Sequence, residues 1–265
     1  MTLLPVLTYH GIECASGEYG WTAPEKPYGV SVSVFEKQVK LIVDSGFQSL
    51  ALDETGKWLS GKRTYHRPIL ITFDDGHLSH YEHAAAYLKK NKVKAVFFIS
   101  AGLVGKKNQM NWTQLKELVR DGFEIGSHGL THIPLTNLPA EELKYELKGS
   151  KDLIERKLAI EVKGFSVPRG FYSASLSRAA EEAGYHFVFT SEFDLNSVGG
   201  SPLGLKRLVV TRGISFEAFD NMIYGTLGSK RYFERAKAAA RGFVKPEFYD
   251  ALAGLKQALR QKDRT

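Results

Sequence analysis

A chain of 265 residues, 43% hydrophobic, 25% charged and 12% aromatic, is long and apolar enough to bury one large core. Its 25 glycines and 9 prolines follow no collagen-like period, its aromatic content argues against long disorder, and no apolar run approaches the roughly 18–20 residues of a membrane-crossing helix. The net charge is +7, and a lone cysteine, Cys14, excludes an internal disulfide framework and a zinc site built from cysteines.

Met1–His10 has no early Lys or Arg, and Pro5 and Thr8 break its apolar run, so it lacks the order of a secretory leader. It predicts instead a first strand, Val6–His10, and a cytoplasmic location. Further strands are predicted at Phe47–Leu52, Pro68–Phe73, Lys94–Ser100, Phe123–Gly126, Val162–Val167, Phe187–Thr190 and Leu205–Thr211. All are short and rich in Val, Ile and Phe, as strands covered on both faces tend to be. Helices are predicted between them. Ser79–Lys90 opens on a capping serine, Trp112–Arg120 stops at Gly122, Pro139–Leu158 carries Leu143, Leu147, Ile154 and Leu158, and Leu176–Ala183 is closed by Gly184. This repeated order predicts an α/β fold with a mostly parallel sheet, open or closed into a barrel.

Residues 1–228 read as one domain, nearly neutral, and residues 229–265 as a basic helical extension packed on it. In that last stretch ten Lys/Arg face four Asp/Glu, so it carries +6 of the net +7. Phe248, Leu252, Leu255 and Leu259 recur there at helical spacing, which predicts a docked helix with a solvated basic face. Weak contact with an anionic membrane or polymer is the secondary expectation; no nucleic-acid motif accompanies the charge.

Parallel α/β folds place their chemistry beyond the carboxyl ends of the strands. Two predicted strands end in reactive residues: Ile69–Phe73 runs into Asp74-Asp75-Gly76, and Phe123–Gly126 into Ser127-His128-Gly129-Leu130-Thr131-His132. Adjacent carboxylates leaving an apolar strand repel and lose hydration, a cost that a bound cation removes. His128 and His132 are four apart, so a helical turn would face both imidazoles the same way. One carboxylate and two imidazoles make a three-ligand site with open positions, suited to a zinc-like ion. The second aspartate is then available to move protons.

Thr72-Phe73-Asp74-Asp75-Gly76 and His128-Gly129-Leu130-Thr131-His132 resemble the first two signature motifs of the polysaccharide deacetylases, the carbohydrate esterase family 4 or NodB-homology domain. Tyr9-His10, Asn111–Leu118, Gly122–His128, Pro134–Leu138 and Leu205–Leu208 are similar to the same pattern, over about residues 5 to 215. The resemblance implies a distorted (β/α)7-like barrel that removes acetyl groups from N-acetylated amino sugars. It implies Asp75, His128 and His132 as metal ligands and Asp74 as general base. The ion would be zinc first, with cobalt, nickel or manganese as alternatives, and the partner an acetylated carbohydrate.

Three departures from the pattern matter. Where the third motif has Arg-x-Pro-aromatic, this chain has Ser166-Val167-Pro168-Arg169, which leaves the Arg169 backbone N–H, beside Pro168, as the expected oxyanion donor and its guanidinium facing substrate or Asp74. The fourth motif has no identifiable match. The fifth ends in Thr211 where the family's general-acid histidine stands. His10 is the first replacement considered, then His186 and His77, and His66, His80 and His83 are expected at the surface. Trp112 and Tyr172 could stack on a sugar ring. The same ligand set would also serve a non-haem iron oxygenase, and the altered third to fifth motifs would suit a glycan-binding module without catalysis.

Overall fold

The computed structural model describes residues 3–14, 17–22 and 25–228. Its main sheet is built from β1 (Val6–Tyr9), β2 (Pro68–Phe73), β3 (Val96–Ile99), β4 (Glu124–Ser127), β5 (Gly164–Ser166), β6 (Phe187–Phe189) and β7 (Leu208–Val209). These strands lie in the order β6-β5-β4-β3-β2-β1-β7, all pairings parallel. Leu205, just before β7, bridges in parallel to Phe189 of β6. The short stretch from Leu205 to Val209 thus touches both ends of the strand path, and the sheet closes into the distorted barrel.

Period-two alternation explains why these apolar runs suit a barrel wall. Leu7, Tyr9, Ile69, Ile71, Phe73, Phe97, Ile99 and Ile125 point into a large outer core beneath the helices. Their neighbours Val6, Leu70, Val96 and Phe98, with Phe189 and Leu205, form the inner core. Leu50, Leu52, Trp58 and Leu59 join that inner cluster and plug the amino-terminal mouth. The Phe98 ring crosses the lumen because positions 126 and 164 are glycine: a Cβ on Gly126 would lie 2.4 Å from it, and one on Gly164 3.1 Å. Above this apolar layer Thr8 and Thr72, paired in register on the neighbouring strands β1 and β2, hydrogen-bond through their side chains at 3.0 Å. The carboxyl-terminal end is therefore the polar one.

The helices are α1 (Val32–Asp44), α2 (Leu52–Leu59), α3 (Ala86–Lys90), α4 (Trp112–Arg120), α5 (Ala140–Lys144), α6 (Ser150–Leu158), α7 (Ala174–Glu182) and α8 (Phe216–Ile223). The prediction for α4 matches residue for residue; that for α7 starts two residues late and ends one residue late. The predicted Ser79–Lys90 helix begins as a π-helical turn, His80–Ala85, before α3, and the predicted Pro139–Leu158 helix contains another, Tyr145–Gly149, between α5 and α6. Phe47–Leu52 is corrected: only Gln48–Ser49 pairs, with the start of β2, and Leu52 opens α2, where the Glu54 side chain accepts from the Ala51 N–H at 2.8 Å. Leu205–Thr211 shrinks to Leu208–Val209, because closing the barrel bends the chain away on either side. α1, α2 and α8 were not anticipated from the sequence. The predicted basic extension at 229–265 lies outside the described residues. Among the described residues no helix is long and apolar enough to cross a membrane.

Candidate metal centre

The first loop leaves β2 with the Asp74 N–H bonded to the Tyr9 carbonyl at 2.9 Å, which carries the Asp74 side chain into the top of the lumen. Asp75 then adopts left-handed backbone, φ 74°, and turns its carboxylate toward the second loop. A non-glycine residue in that region costs of order 1–3 kcal/mol, a cost the surrounding structure must hold in place. His132 is left-handed as well, φ 64°. The helical turn expected for His128–His132 is not formed: β4 ends at Ser127 and an irregular loop follows. The imidazoles converge for another reason. Glu146, buried in the π-helical turn between α5 and α6, accepts from the Leu130 N–H at 2.7 Å, the Thr131 N–H at 3.1 Å and the Thr131 hydroxyl at 2.5 Å, and so pins the loop.

His128 Nε2 and His132 Nε2 lie 3.3 Å and 3.1 Å from Asp75 Oδ1, and the three donor atoms fall within 4.8 Å of one another. The His128 tautomer is set by its other nitrogen. Nδ1 lies 2.8 Å from the Ser166 carbonyl, which can only accept, so Nδ1 carries the hydrogen and Nε2 of the neutral ring presents a lone pair. That lone pair faces Asp75 Oδ1, a buried oxygen with no hydrogen-bond partner. Acceptors pointed at each other across about 3 Å repel unless a cation sits between them. The spacing suits ligands sharing one ion with bonds of about 2.0–2.2 Å. The residues fit a divalent metal.

Asp74 stands apart from this cluster and is held differently. Arg207 Nη1 and Nη2 donate to its two oxygens at 2.8 Å each, and the Ser166 hydroxyl donates to Oδ2 at 3.1 Å. Arg207 is itself buried and braced by its Nε–H to the Thr190 carbonyl at 2.8 Å. Burial by itself would raise the Asp74 carboxyl; the guanidinium reverses that and holds it below the usual carboxylate range. This overturns the Asp74 alternative for the Arg169 guanidinium: the charge beside Asp74 is Arg207, while Arg169 is exposed. Arg207 and Glu146 are the two site residues that sequence reasoning missed. The signal for Arg207 was its place in Leu205–Leu208, and for Glu146 its position beside Leu147 on an apolar helix face.

The sequence model for the family described as Polysaccharide deacetylase matches residues 61–188. The chain is 31% identical over 217 residues to the Putative polysaccharide deacetylase YxkH of Bacillus subtilis, covering 82% of this chain and 74% of that protein. The chain belongs to the polysaccharide deacetylase family. It is also 27% identical over 212 residues to the Poly-beta-1,6-N-acetyl-D-glucosamine N-deacetylase of Staphylococcus aureus, covering 75% of this chain and 72% of that one. Among solved structures, the Streptococcus pyogenes deacetylase PplD in complex with acetate superposes with a TM-score of 0.76 at 25% identity, covering 84% of this chain and 97% of that one.

As a polysaccharide deacetylase, the chain carries both acids and both histidines inside the matched stretch, with His10 and Arg207 outside it. His10 follows β1 and is half-buried, its Nδ1 enclosed without a partner. Burial holds it below the ordinary imidazole value, although Asp75 and Asp74 pull it up, and the field it feels comes from the site: those two acids, Arg207 and His128. His80 is corrected from surface to core. It is fully buried, donates from Nε2 to the His10 carbonyl at 2.9 Å, and is pushed by burial down to about 3. His186 is exposed just before β6, at the opposite end of the barrel, and drops out as a proton donor. His77 is buried against Trp21, with Nδ1 2.8 Å from the Ser79 hydroxyl. Pro168 is buried beside Gly129, and Arg169 next to it has φ 56°. Trp112 packs half-buried on the outer core at the start of α4.

Proposed function

We propose that this polysaccharide deacetylase is a divalent-metal-dependent hydrolase that removes acetyl groups from N-acetylated amino sugars in a polysaccharide, an oligosaccharide or a glycan precursor. The observation that carries this reading is the convergence of the Asp75 carboxylate and two imidazoles beside a separate buried carboxylate, Asp74. The name of the S. aureus relative supports N-acetylglucosamine polymers as the substrate class.

Asp75, His128 and His132 would hold the ion, which when bound supplies Lewis acidity toward water and the acetyl carbonyl. Asp74 takes a proton from the attacking water. Arg207 and Ser166 keep it ionised and aimed for that task. The Arg169 N–H, on its left-handed turn beside Pro168, is assigned to the oxyanion. His10 gives a proton to the leaving nitrogen, so that amide and water become acetate and free amine. Trp112 is kept as a candidate sugar contact at the start of α4.

Acetate release from a panel of acetylated oligosaccharides tests the whole scheme. Chelation should abolish release, and zinc, cobalt, nickel or manganese should restore it; activity indifferent to a chelator would sink the metal assignment. His10→Ala should lower turnover roughly 10²–10⁴-fold, the usual contribution of a positioned proton donor, with metal content unchanged. Equal turnover in that variant would pass the role to another group.

A further inference from the structure

We propose that Cys14, Glu18 and His83 form a second divalent-cation site, zinc-preferring and separate from Asp75, His128 and His132. One donor atom from each of the three lies within 4.8 Å of the other two. The residues come from the segment after Gly11–Glu13 and from the π-helical turn His80–Ala85, so the site bridges two pieces of chain more than 60 positions apart.

Hydrogen positions follow from the neighbours. Tyr19 has one proton and gives it to Glu82 Oε2 at 2.6 Å. Its oxygen therefore turns a lone pair toward His83 Nε2 at 2.9 Å, and Glu18 Oε1 presents another at 3.1 Å. A nitrogen facing two acceptors carries the hydrogen, so the lone pair of neutral His83 is on Nδ1. Nδ1 faces Cys14 Sγ at 3.8 Å, close to the span of a nitrogen and a sulfur sharing one tetrahedral ion, with bonds of about 2.0–2.1 and 2.3 Å. The Nε2–H directed to the Tyr19 oxygen is the outer arrangement that orients a metal-binding imidazole. Glu18 is held against the thiol's own backbone, its Oε2 accepting from the Cys14 N–H at 2.7 Å, and it supplies the third ligand when its carboxylate turns from the His83 Nε2–H toward the ion.

A thiolate with an imidazole selects zinc over magnesium or calcium, and the solvent-facing Cys14 and Glu18 leave an entry path. On binding, the thiol proton passes to solvent and water completes the coordination. The consequence is structural. Trp21 stacks on His77 at 4.4 Å and Tyr19 meets the same ring edge-on at 4.7 Å. His77 follows Asp75 by two residues, so an ion at Cys14 ties down the aromatic wall beside the first centre.

Cobalt provides the test, because Cys14 is the chain's lone cysteine and any thiolate-to-cobalt charge-transfer band must arise from it. The reduced, metal-stripped full chain is titrated with Co²⁺ and followed by near-ultraviolet absorbance. A saturable charge-transfer band is expected. It should vanish in Cys14→Ser, persist in Asp75→Ala, and require roughly ten- to a hundredfold more cobalt in His83→Ala and Glu18→Ala. A titration without that band overturns the proposal. So does a band that His83→Ala leaves unchanged, or one lost in Asp75→Ala.

Discussion

Asparagine at position 74 is expected to lower turnover roughly 10²–10⁴-fold while the metal content of the protein stays that of the parent. The change removes the proton-accepting charge and leaves Asp75, His128 and His132 in place. It also leaves Arg207 buried opposite a neutral amide. Breaking a buried pair by removing one partner costs about 3–5 kcal/mol, so Asp74→Asn should unfold at lower denaturant concentration than the parent. Acetate release at saturating substrate, measured where circular dichroism shows the variant folded and metal analysis shows it loaded, separates the two effects. A folded, loaded variant keeping more than about a tenth of parental turnover would take the role of base away from Asp74.

Arg207→Met should damage the same carboxylate from the other side. Without the guanidinium, burial prevails and the Asp74 carboxyl rises instead of falling. The acid limb of the kcat/KM profile should therefore move to higher pH, a shift that mere loosening of the fold would not produce. Stability should fall by about 3–5 kcal/mol at neutral pH. The folded Asp74 carboxyl is depressed, so the pair's contribution is complete above the unfolded carboxylate value of about 3.9 and is lost as pH falls through the folded one. The stability gap between parent and variant should accordingly shrink on acidification. Denaturant unfolding across a pH series checks this. A gap that stays constant with pH would mean that Arg207 acts by packing and not by charge.

The strand ends were legible because apolar runs of fixed parity stop at polar residues there. Ile69–Phe73 needs both faces buried, and Asp74-Asp75 cannot continue such a run without a partner for its charge. The same logic marked His128. The reason first given for His128 and His132 meeting was wrong, since spacing of four suggests a helix and the loop achieves the convergence with left-handed backbone at His132 and the Glu146 clamp. His80 was misplaced for a similar reason. A polar residue early in a predicted surface helix reads as solvated, but the π-helical turn rotates it into the core, where the His10 carbonyl accepts its hydrogen.

Local pattern alone determined the β-then-α order, the buried strands and the four side chains Asp74, Asp75, His128 and His132 at their ends, because burial parity and the cost of unpaired charge act within a few residues. Which group neutralises Asp74 was decided only when the barrel closed. Arg207 is 133 positions away, and it reaches the carboxylate because Leu205–Val209 joins the two ends of the strand path. His10 enters the site through the same closure, since β1 lies between β2 and β7. Electrostatic partners are chosen by distance through space, and a linear chain does not carry that distance until it is folded.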